Sequence, residues 1–161
     1  MNFERLDPKK HNRKLFDCGV AELNIYLKQF SNQDQKRGLT RVYVLAKQQQ
    51  IIGYYSICAH SVPTDKLPDN TRLGNYEEAP FLLLGRLAVD QHFQGQGYGD
   101  ALIYHAFKIT TEAADKIGML GIIVDAKDEK AASFYERFGF MPLSTNKYRL
   151  VLPFSAMKKL F

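Results

Sequence analysis

The chain has 161 residues, enough for one domain with a substantial hydrophobic core and too few for two domains of ordinary size. Hydrophobic residues make up 45% of the sequence and charged residues 24%, as in globular proteins that fold in water, and no apolar run approaches the roughly 20 residues of a membrane span. The N-terminus lacks the apolar region of a secretory signal. Cys18 and Cys58 have no metal-binding spacing and predict two free, buried thiols in a reducing cytosol, with a disulfide as the less favoured alternative.

The net charge of +5 is concentrated in the first third of the chain. Residues 1–47 contain ten Lys and Arg against five Asp and Glu, whereas residues 48–161 contain twelve of each. A basic segment on a neutral remainder suggests a polyanionic partner, either nucleic acid or an acidic protein. A solvated basic surface without a partner is the alternative that charge alone leaves open.

The first half of the chain predicts a strand, a helix and a β-hairpin. Asn2–Leu6 has weak strand character, and apolar residues at helical spacing predict an amphipathic helix over Gly19–Phe30, with Asp17 as its N-cap. Arg41–Lys47 and Ile51–His60 are β-rich and separated by a polar turn, which predicts a hairpin. Ser61–Ala79 contains prolines and a glycine and is predicted to be a loop.

The second half alternates between strands and helices. Pro80–Val89 is a long apolar strand, and Asp100–Lys116 is a predicted helix with a small apolar face. Leu120–Val124 is a wholly apolar strand of the buried kind, Asp128–Phe138 is a helix that ends before a glycine, and Lys147–Leu152 alternates as a final strand. This order predicts an α/β fold with a mixed sheet and one right-handed parallel crossover.

The glycine-rich stretch Gln94-Gly95-Gln96-Gly97-Tyr98-Gly99 lies between the long apolar strand and the helix that follows it. Glycines at such a joint leave backbone N–H groups uncovered at the positive end of the helix dipole, which favours a bound phosphate. The stretch lacks the Lys-Ser/Thr ending of a Walker loop, and its glycine spacing differs from that of a dinucleotide loop. A glycine-rich turn without a ligand is the remaining alternative.

The spacing Gln-x-x-Gly-x-Gly, from Gln94 to Gly99, resembles the pyrophosphate loop of the GNAT superfamily of acetyltransferases. Arg86-Leu87-Ala88-Val89-Asp90 resembles the central strand of that family, and residues 131–140 resemble its Ala-x-x-Phe-Tyr-x-x-x-Gly-Phe helix. The resemblance implies a single acetyltransferase domain over residues 1–161. It also implies a mixed, twisted central sheet that is splayed in the middle and has helices on both faces.

The same resemblance implies acetyl-CoA as the cofactor and assigns residues to it. Leu87 and Val89 would pair through their backbones with the pantetheine amides, and the glycine loop would hold the diphosphate. Phe134 is counted with the cofactor residues, with packing in the core as its alternative. The predicted cofactor-binding set is Leu87, Ala88, Val89, Gln94, Gly95, Gln96, Gly97, Tyr98, Gly99, Asp100 and Phe134.

Tyr135 is the predicted catalytic residue, because the family places a tyrosine at this point of its helix. A phenol stays protonated at neutral pH and can donate a proton to a departing thiolate. The sequence identifies no general base: Asp125, Asp128, Glu129 and Glu136 are each weak candidates. The absence of a base weakly favours an α-amine acceptor, whose pKa near 8 leaves it partly neutral in the cytosol.

The N-terminal segment resembles the GNAT toxins of bacterial toxin–antitoxin pairs, through Lys14-Leu15-Phe16-Asp17-Cys18-Gly19 and the later Gly85-Arg86-Leu87-Ala88-Val89-Asp90. That subgroup acetylates the α-amine of charged tRNA in the cytoplasm and blocks translation. It pairs with a ribbon-helix-helix antitoxin, binds operator DNA only through that complex, and commonly forms homodimers. The residues predicted to contact tRNA are Lys28, Lys36, Arg37, Arg41 and Arg86.

Two other functions stay open from the sequence. The first is a GNAT enzyme that acts on a small amine, a peptide or a protein lysine. The second is a non-enzymatic binding module that has kept the fold. The segment Pro63–Ala79 matches none of the family motifs and is a candidate determinant of acceptor choice.

Overall fold

The computed structural model describes residues 1–68 and 76–157. Within them, seven strands form one sheet in the order β1-β2-β3-β4-β5-β7-β6, and the parallel β4–β5 pair among antiparallel neighbours makes the sheet mixed. The predicted α/β fold with a mixed sheet is therefore confirmed. The strands are β1 (Asn2–Arg5), β2 (Arg41–Lys47), β3 (Gln50–Pro63), β4 (Glu78–Val89), β5 (Gly121–Asp125), β6 (Met141–Leu143) and β7 (Asn146–Pro153).

The helices are short in the first half of the chain, and the two longest lie in the second half. The α-helices are α1 (Ala21–Ile25), α2 (Ser31–Lys36), α3 (Tyr98–Ala114), α4 (Glu129–Glu136) and α5 (Phe154–Met157). A π-helical turn, Tyr26–Phe30, joins α1 to α2, and single 3₁₀ turns occur at Thr64–Lys66 and Gln91–Phe93. No helix of the described residues is long and apolar enough to cross a membrane.

The described residues divide into two compact units. The first unit contains Met1–Cys58 and Gly85–Ala106, and the second contains the described part of Ala59–Leu84 and Phe107–Phe161. Strands β3 and β4 and helix α3 pass through both units, so each unit contains a part of these elements.

In the first unit, β1, β2 and β3 form an antiparallel ladder that covers one hydrophobic cluster. Arg41 pairs with Ile57 at one end of the β2–β3 ladder and Lys47 pairs with Gln50 at the turn, which confirms the predicted hairpin. Alternate residues of β2 and the helix above them pack together, because a strand points successive side chains to opposite faces. The cluster includes Phe16, Leu27, Val42, Val44 and Tyr54.

The N-terminal helix is longer than predicted, and Asp17 does not cap it. Helical structure continues from Ala21 to Lys36 through the π-helical turn, in which the Ser31 amide donates to the Tyr26 carbonyl. The N-cap is Val20, which makes no side-chain capping bond. Asp17 accepts instead from the Gly19 amide at 2.9 Å, because the chain turns there before the helix begins.

In the second unit, the parallel ladder of β4 and β5 is short. It runs from Leu82↔Ile122 to Leu84↔Val124, although β4 continues to Val89. Every residue of β5 pairs with a residue of β7, and a hydrophobic cluster covers this part of the sheet. The cluster includes Val62, Leu67, Phe81, Ile123 and Val151.

Two elements of the second unit were missed by the sequence pattern, and one predicted loop is shorter than expected. Strand β6 has three residues and contains a proline, and α5 has four residues, so neither repeats a pattern long enough to detect. Strand β3 continues to Pro63 and β4 begins at Glu78, inside the predicted loop Ser61–Ala79. Residues 69–75 of that loop lie outside the described residues.

Candidate cofactor and acceptor sites

The glycine loop has a backbone conformation that only glycine adopts easily. Gly95 and Gly97 have φ values of +77° and +87°, and a Cβ at either position would meet open space. The glycines are therefore required by the path of the chain and not by crowding. Helix α3 begins directly after Gly97, at Tyr98, two residues earlier than predicted. The amides of the first helical turn thus adjoin an exposed loop, a suitable arrangement for an anion.

The side chain of Gln94 holds the loop against the rest of the first unit. Its Nε2 donates to the Val89 carbonyl at 2.8 Å and to the Cys18 carbonyl at 3.0 Å. The amide group of Gln94 is thus used within the protein, and any contact to a phosphate falls to its backbone. The remaining loop residues predicted to bind the cofactor are exposed or half-buried: Gly95, Gln96, Gly97, Tyr98, Gly99 and Asp100.

Asp90 anchors the start of the loop and was not predicted as a site residue. Its carboxylate, 5% exposed as a residue, accepts from the Asp17 amide at 3.0 Å and from the His92 amide at 2.9 Å. The His92 ring lies 2.8 Å from the same carboxylate. Burial alone would raise the pKa of Asp90, but these hydrogen bonds hold the pKa below its ordinary value. The charged carboxylate therefore fixes both Asp17 and the turn that leads to the loop.

The strand segment predicted to pair with pantetheine lies beyond the end of the parallel ladder. Leu87 and Val89 are half-buried and Ala88 is buried. The recorded pairing of β4 with β5 covers Leu82–Leu84 alone, so it includes none of these three residues. A segment of this kind can pair its backbone with an extended ligand.

Tyr135 lies in α4 of the second unit, with its ring buried and 8% of the residue exposed. The ring packs edge-on against Phe134 and Phe140, with centroid separations of 5.2 and 5.6 Å. Burial raises the pKa of Tyr135 far above the ordinary phenol value. Within residues 1–68 and 76–157 the hydroxyl makes no hydrogen bond, and no fully buried side-chain oxygen there lacks a partner. The hydroxyl oxygen is therefore not fully buried.

The acidic residues weighed as general bases are mostly engaged elsewhere. Arg149 donates from Nε and Nη2 to the two carboxylate oxygens of Asp125, at 2.7 and 2.9 Å. Asp128 caps α4 by accepting from the Ala131 amide at 2.9 Å. Glu129 pairs with Lys147 at 3.1 Å. These three acids thus have structural partners, while Glu136 is exposed.

His60 is held as a neutral hydrogen-bond acceptor. Arg149 has only donors on its guanidinium, so the 3.0 Å contact from its Nη1 requires a lone pair on His60 Nε2. Burial and the charge of Arg149 lower the pKa of His60. The sequence contained no signal for this contact, because it joins β3 to β7. Within the described ranges no three His, Cys, Asp or Glu residues are arranged to bind a metal ion.

Arg86 is half-buried on β4 in the first unit. Its guanidinium carbon lies 3.4 Å from the ring centroid of Tyr26, and its Nη1 donates to Ser56 Oγ at 3.3 Å. The Tyr26 hydroxyl donates to Asp34 at 3.0 Å and lies 3.3 Å from Thr40 Oγ1. Burial raises the pKa of Tyr26, which keeps this phenol neutral.

The other residues predicted to contact RNA lie on an exposed surface of the first unit. Lys28 is in the π-helical turn, Lys36 ends α2, and Arg37 follows it. Arg41 begins β2, and its Nη1 donates to the carbonyl of Thr40 at 3.2 Å. The structure thus groups these four cations on one helix and the adjoining strand, and Arg86 belongs to the same unit.

The family model for the acetyltransferase (GNAT) domain matches residues 38–142. The probable toxin TacT of Sinorhizobium fredii is 30% identical over 169 residues, covering 98% of this chain and 93% of TacT. The tRNA-acetylating toxin of Mycobacterium tuberculosis is 32% identical over 137 residues, covering 85% of this chain and 82% of that toxin.

Solved structures of toxins have the same fold. AtaT complexed with acetyl-methionyl-tRNAfMet matches with a TM-score of 0.91 and 32% identity, covering 99% of this chain and 98% of AtaT. A tyrosine-to-phenylalanine variant of AtaT, bound to the C-terminus of the antitoxin AtaR and acetyl-CoA, matches with a TM-score of 0.85, 31% identity and coverages of 99% and 97%. The AtaT–AtaR complex bound to DNA matches with a TM-score of 0.81, 32% identity and coverages of 100% and 99%.

These matches confirm the resemblance on which the fold and the enzyme class were predicted. The family model spans well over half of the sequence, and the relatives align along most of their own length. The chain belongs to the GNAT family of acetyltransferases.

Proposed function

We propose that this chain is the toxin of a toxin–antitoxin pair, which transfers acetyl from acetyl-CoA to the α-amine of aminoacyl-tRNA and so blocks translation. The observation that carries the proposal is the near full-length match to AtaT complexed with acetyl-methionyl-tRNAfMet, at a TM-score of 0.91. The relative described as a tRNA-acetylating toxin supports the same acceptor. The exposed cations of the first unit suit an RNA backbone, because phosphate contacts supply most of such affinity.

The residues of the first unit fit the cofactor. Two glycines with positive φ give the loop an open path at the start of α3, which suits a diphosphate. The backbone of Leu87 and Val89 suits the amides of pantetheine, since β4 extends past its ladder with β5. When bound, acetyl-CoA supplies an acetyl thioester whose sulfur needs a proton as the carbon–sulfur bond breaks.

Tyr135 is the residue we assign to supply that proton. A phenol is protonated at neutral pH even at its ordinary pKa of about 10, and burial raises the pKa of Tyr135 further. In the reaction the amine nitrogen forms a bond to the acetyl carbon, the carbon–sulfur bond breaks, and the amine releases a proton to water. Tyr135 donates its proton to the sulfur and recovers one from solvent, so the proton balance closes.

The chain needs no dedicated base for this acceptor. The pKa of a free α-amine is about 8, so a sizeable fraction is neutral in the cytosol. The carboxylates of Asp125, Asp128 and Glu129 are engaged with Arg149, a helix amide and Lys147. This pattern supports an acceptor that loses its proton without help.

We infer the remaining partners from the relatives. AtaT is bound to an antitoxin and, in the AtaT–AtaR complex, to DNA. We accordingly propose a ribbon-helix-helix antitoxin for this chain, operator DNA contacts only through that complex, and a homodimer of the toxin. Two free thiols and a tRNA substrate support a cytoplasmic location. We also propose that residues 1–161 form a single acetyltransferase domain, which the coverage of the relatives supports.

The proposal is tested by expression without the antitoxin and by acetyl transfer in vitro. We expect growth arrest, and transfer of labelled acetyl to the α-amine of charged tRNA. Tyr135→Phe removes the proton donor and is expected to lower kcat by about 100-fold, within the range of general-acid effects, while acetyl-CoA binding is retained. Acetyl transfer is measured as radiolabel in the aminoacyl group, and acetyl-CoA binding is measured as a Kd by calorimetry.

A matched substitution controls for loss of a hydroxyl. Tyr104 lies on α3 with 43% of the residue exposed, and Tyr104→Phe is expected to leave transfer unchanged. Soluble wild-type protein that permits normal growth and acetylates polyamines or peptides but not charged tRNA would contradict the proposed acceptor.

A further inference from the structure

Arg86 is a half-buried cation that has no carboxylate partner among the residues that the structure describes, 1–68 and 76–157. Within those ranges, its guanidinium contacts the Tyr26 ring and Ser56 Oγ. Arg149 offers a contrast, because both oxygens of Asp125 neutralise its guanidinium. Partial burial of a charge is costly unless a counter-charge is near. The surroundings of Arg86 therefore suit an anion that comes from outside the chain.

The guanidinium of Arg86 is held in one orientation. Tyr26 covers one face at 3.4 Å, a cation–π contact that fixes the plane. Tyr26 is itself fixed, because its hydroxyl lies between Asp34 and Thr40. It also begins the π-helical turn, and such turns occur frequently at functional sites.

Among the described residues, most of the donors of Arg86 have no acceptor. A guanidinium has five N–H donors, and the recorded hydrogen bond to Ser56 uses one of them. Burial raises the pKa values of Tyr26, Tyr54 and Cys58, so these neighbours of Arg86 carry no negative charge. The nearby Asp34 carboxylate accepts from the Tyr26 hydroxyl and not from the guanidinium. A planar group with several parallel donors matches a phosphate better than a point charge does.

We propose that Arg86 binds a phosphodiester of the RNA acceptor, the one that joins the terminal, aminoacylated nucleotide to the rest of the strand. The inference rests on the proposed function. Arg86 directly precedes Leu87, which we assign to the pantetheine arm, and the α-amine must reach the thioester at the end of that arm. Among the phosphates of charged tRNA, this diester is the nearest in the covalent structure to the α-amine.

The phosphates of acetyl-CoA are the other source of the same chemistry. We assign its diphosphate to the loop at the start of α3, which follows Arg86 along the strand by several residues. Two measurements on the same variants distinguish these sources of phosphate: the Kd for acetyl-CoA, and the change in kcat/KM when the terminal diester of the RNA is made neutral.

The test compares wild type with Arg86→Gln and Arg86→Lys. The acceptors are two aminoacylated RNA minihelices, one natural and one with an uncharged methylphosphonate at the terminal diester. We expect neutralisation of the diester to lower kcat/KM about tenfold for wild type and by less than about twofold for Arg86→Gln, in keeping with a charged hydrogen bond. Arg86→Lys retains the charge but loses the planar donors, so an intermediate sensitivity is expected.

Three further variants check the arrangement around Arg86. Tyr26→Leu removes the ring beneath the guanidinium and Ser56→Ala removes its hydrogen bond, and each is expected to raise KM for charged RNA with little change in kcat. Arg5→Lys is the matched control, because Arg5 is exposed and lies 6.0 Å from the Tyr43 ring. It is expected to leave both constants unchanged. Circular dichroism and thermal melting check that each variant folds.

The outcomes separate this inference from the proposed function. Equal sensitivity to the uncharged diester in wild type and Arg86→Gln would overturn the inference, as would a weakened acetyl-CoA Kd with unchanged RNA dependence. If wild type acetylates no charged tRNA, the proposed function fails. Binding of the natural and methylphosphonate minihelices, both without an amino acid, then tests the role of Arg86. If Arg86→Gln binds the two equally, the assignment is supported; if it still prefers the natural minihelix as wild type does, the assignment is overturned.

Discussion

The Asp90 carboxylate is buried beside the glycine loop and accepts hydrogen bonds from two backbone amides and a histidine ring. Asp90→Asn keeps the size of the side chain but turns one acceptor into a donor that faces an N–H group. We expect the free energy of unfolding to fall by about 2 kcal/mol at pH 7, as for a lost charged hydrogen bond. Chemical denaturation measures the change.

The same substitution predicts a pH dependence. The folded pKa of Asp90 lies below the unfolded value of about 3.9, so its contribution is fully present above that value and is lost as pH falls through the folded pKa. The difference between wild type and Asp90→Asn should therefore shrink below about pH 4. Asp115→Asn, on an exposed part of the chain, is the control and should change stability little at any pH. A constant difference from pH 7 to pH 3 would contradict this explanation.

The sequence predicted a role for a residue within a motif, but it did not predict contacts between residues far apart in the chain. The tyrosine at position 135 was identified because a short pattern surrounds it. Its ring is buried and its oxygen is not fully buried, and the assigned role remains a prediction. The Tyr26–Arg86 stack and the Asp17–Asp90 contact were missed, because each joins residues far apart in the chain. No periodic pattern carries such information.

At the level of elements, the path of the loop between β4 and α3 depends on the positive φ angles of Gly95 and Gly97. Gly97→Ala forces a residue with a Cβ into a left-handed conformation at φ +87°, which costs about 1–2 kcal/mol. We expect a matching loss of stability and weaker acetyl-CoA binding by calorimetry.

Gly118→Ala provides the comparison for this variant. A Cβ at Gly118 meets no atom within 4 Å, and its φ is not in the left-handed region. We expect unchanged acetyl-CoA affinity and a stability equal to or slightly above wild type, because alanine restricts the unfolded chain. Equal affinities for acetyl-CoA in both variants would show that the loop conformation does not matter for binding.

Most long elements were predictable, and the errors have physical causes. Strong apolar runs and alternation identified β2, β3, β4, β5 and β7. Helical structure was expected to end at Phe30, but it continues to Lys36 over a polar stretch without an apolar face. Contacts made elsewhere, such as Tyr26 to Asp34, stabilise that extension, and propensity alone did not reveal them.

For the whole molecule, the uneven charge predicts how RNA binding responds to salt. Replacing Lys28, Lys36 and Arg37 by alanine removes three exposed cations from the first unit. Each lost phosphate contact should reduce the slope of log K against log salt by about 0.7–0.9. We therefore expect a reduction of about two to three in a filter-binding salt titration with tRNA.

A second triple variant removes the same charge from the balanced remainder of the chain. Lys108, Lys116 and Lys130 are exposed, and their replacement by alanine should leave the slope unchanged. Similar reductions in both variants would indicate a response to net charge alone, and the basic first third would then have no special role.

The match to the family model begins at residue 38, yet two groups that hold the glycine loop in place come from upstream of it. The Cys18 carbonyl accepts a hydrogen bond from the Gln94 side chain, and the Asp17 amide donates one to the Asp90 carboxylate. A fragment cut to residues 38–142 would keep every proposed coenzyme contact while losing these two anchors. We expect such a fragment to bind coenzyme poorly, because the residues that hold the glycine loop in place would be missing.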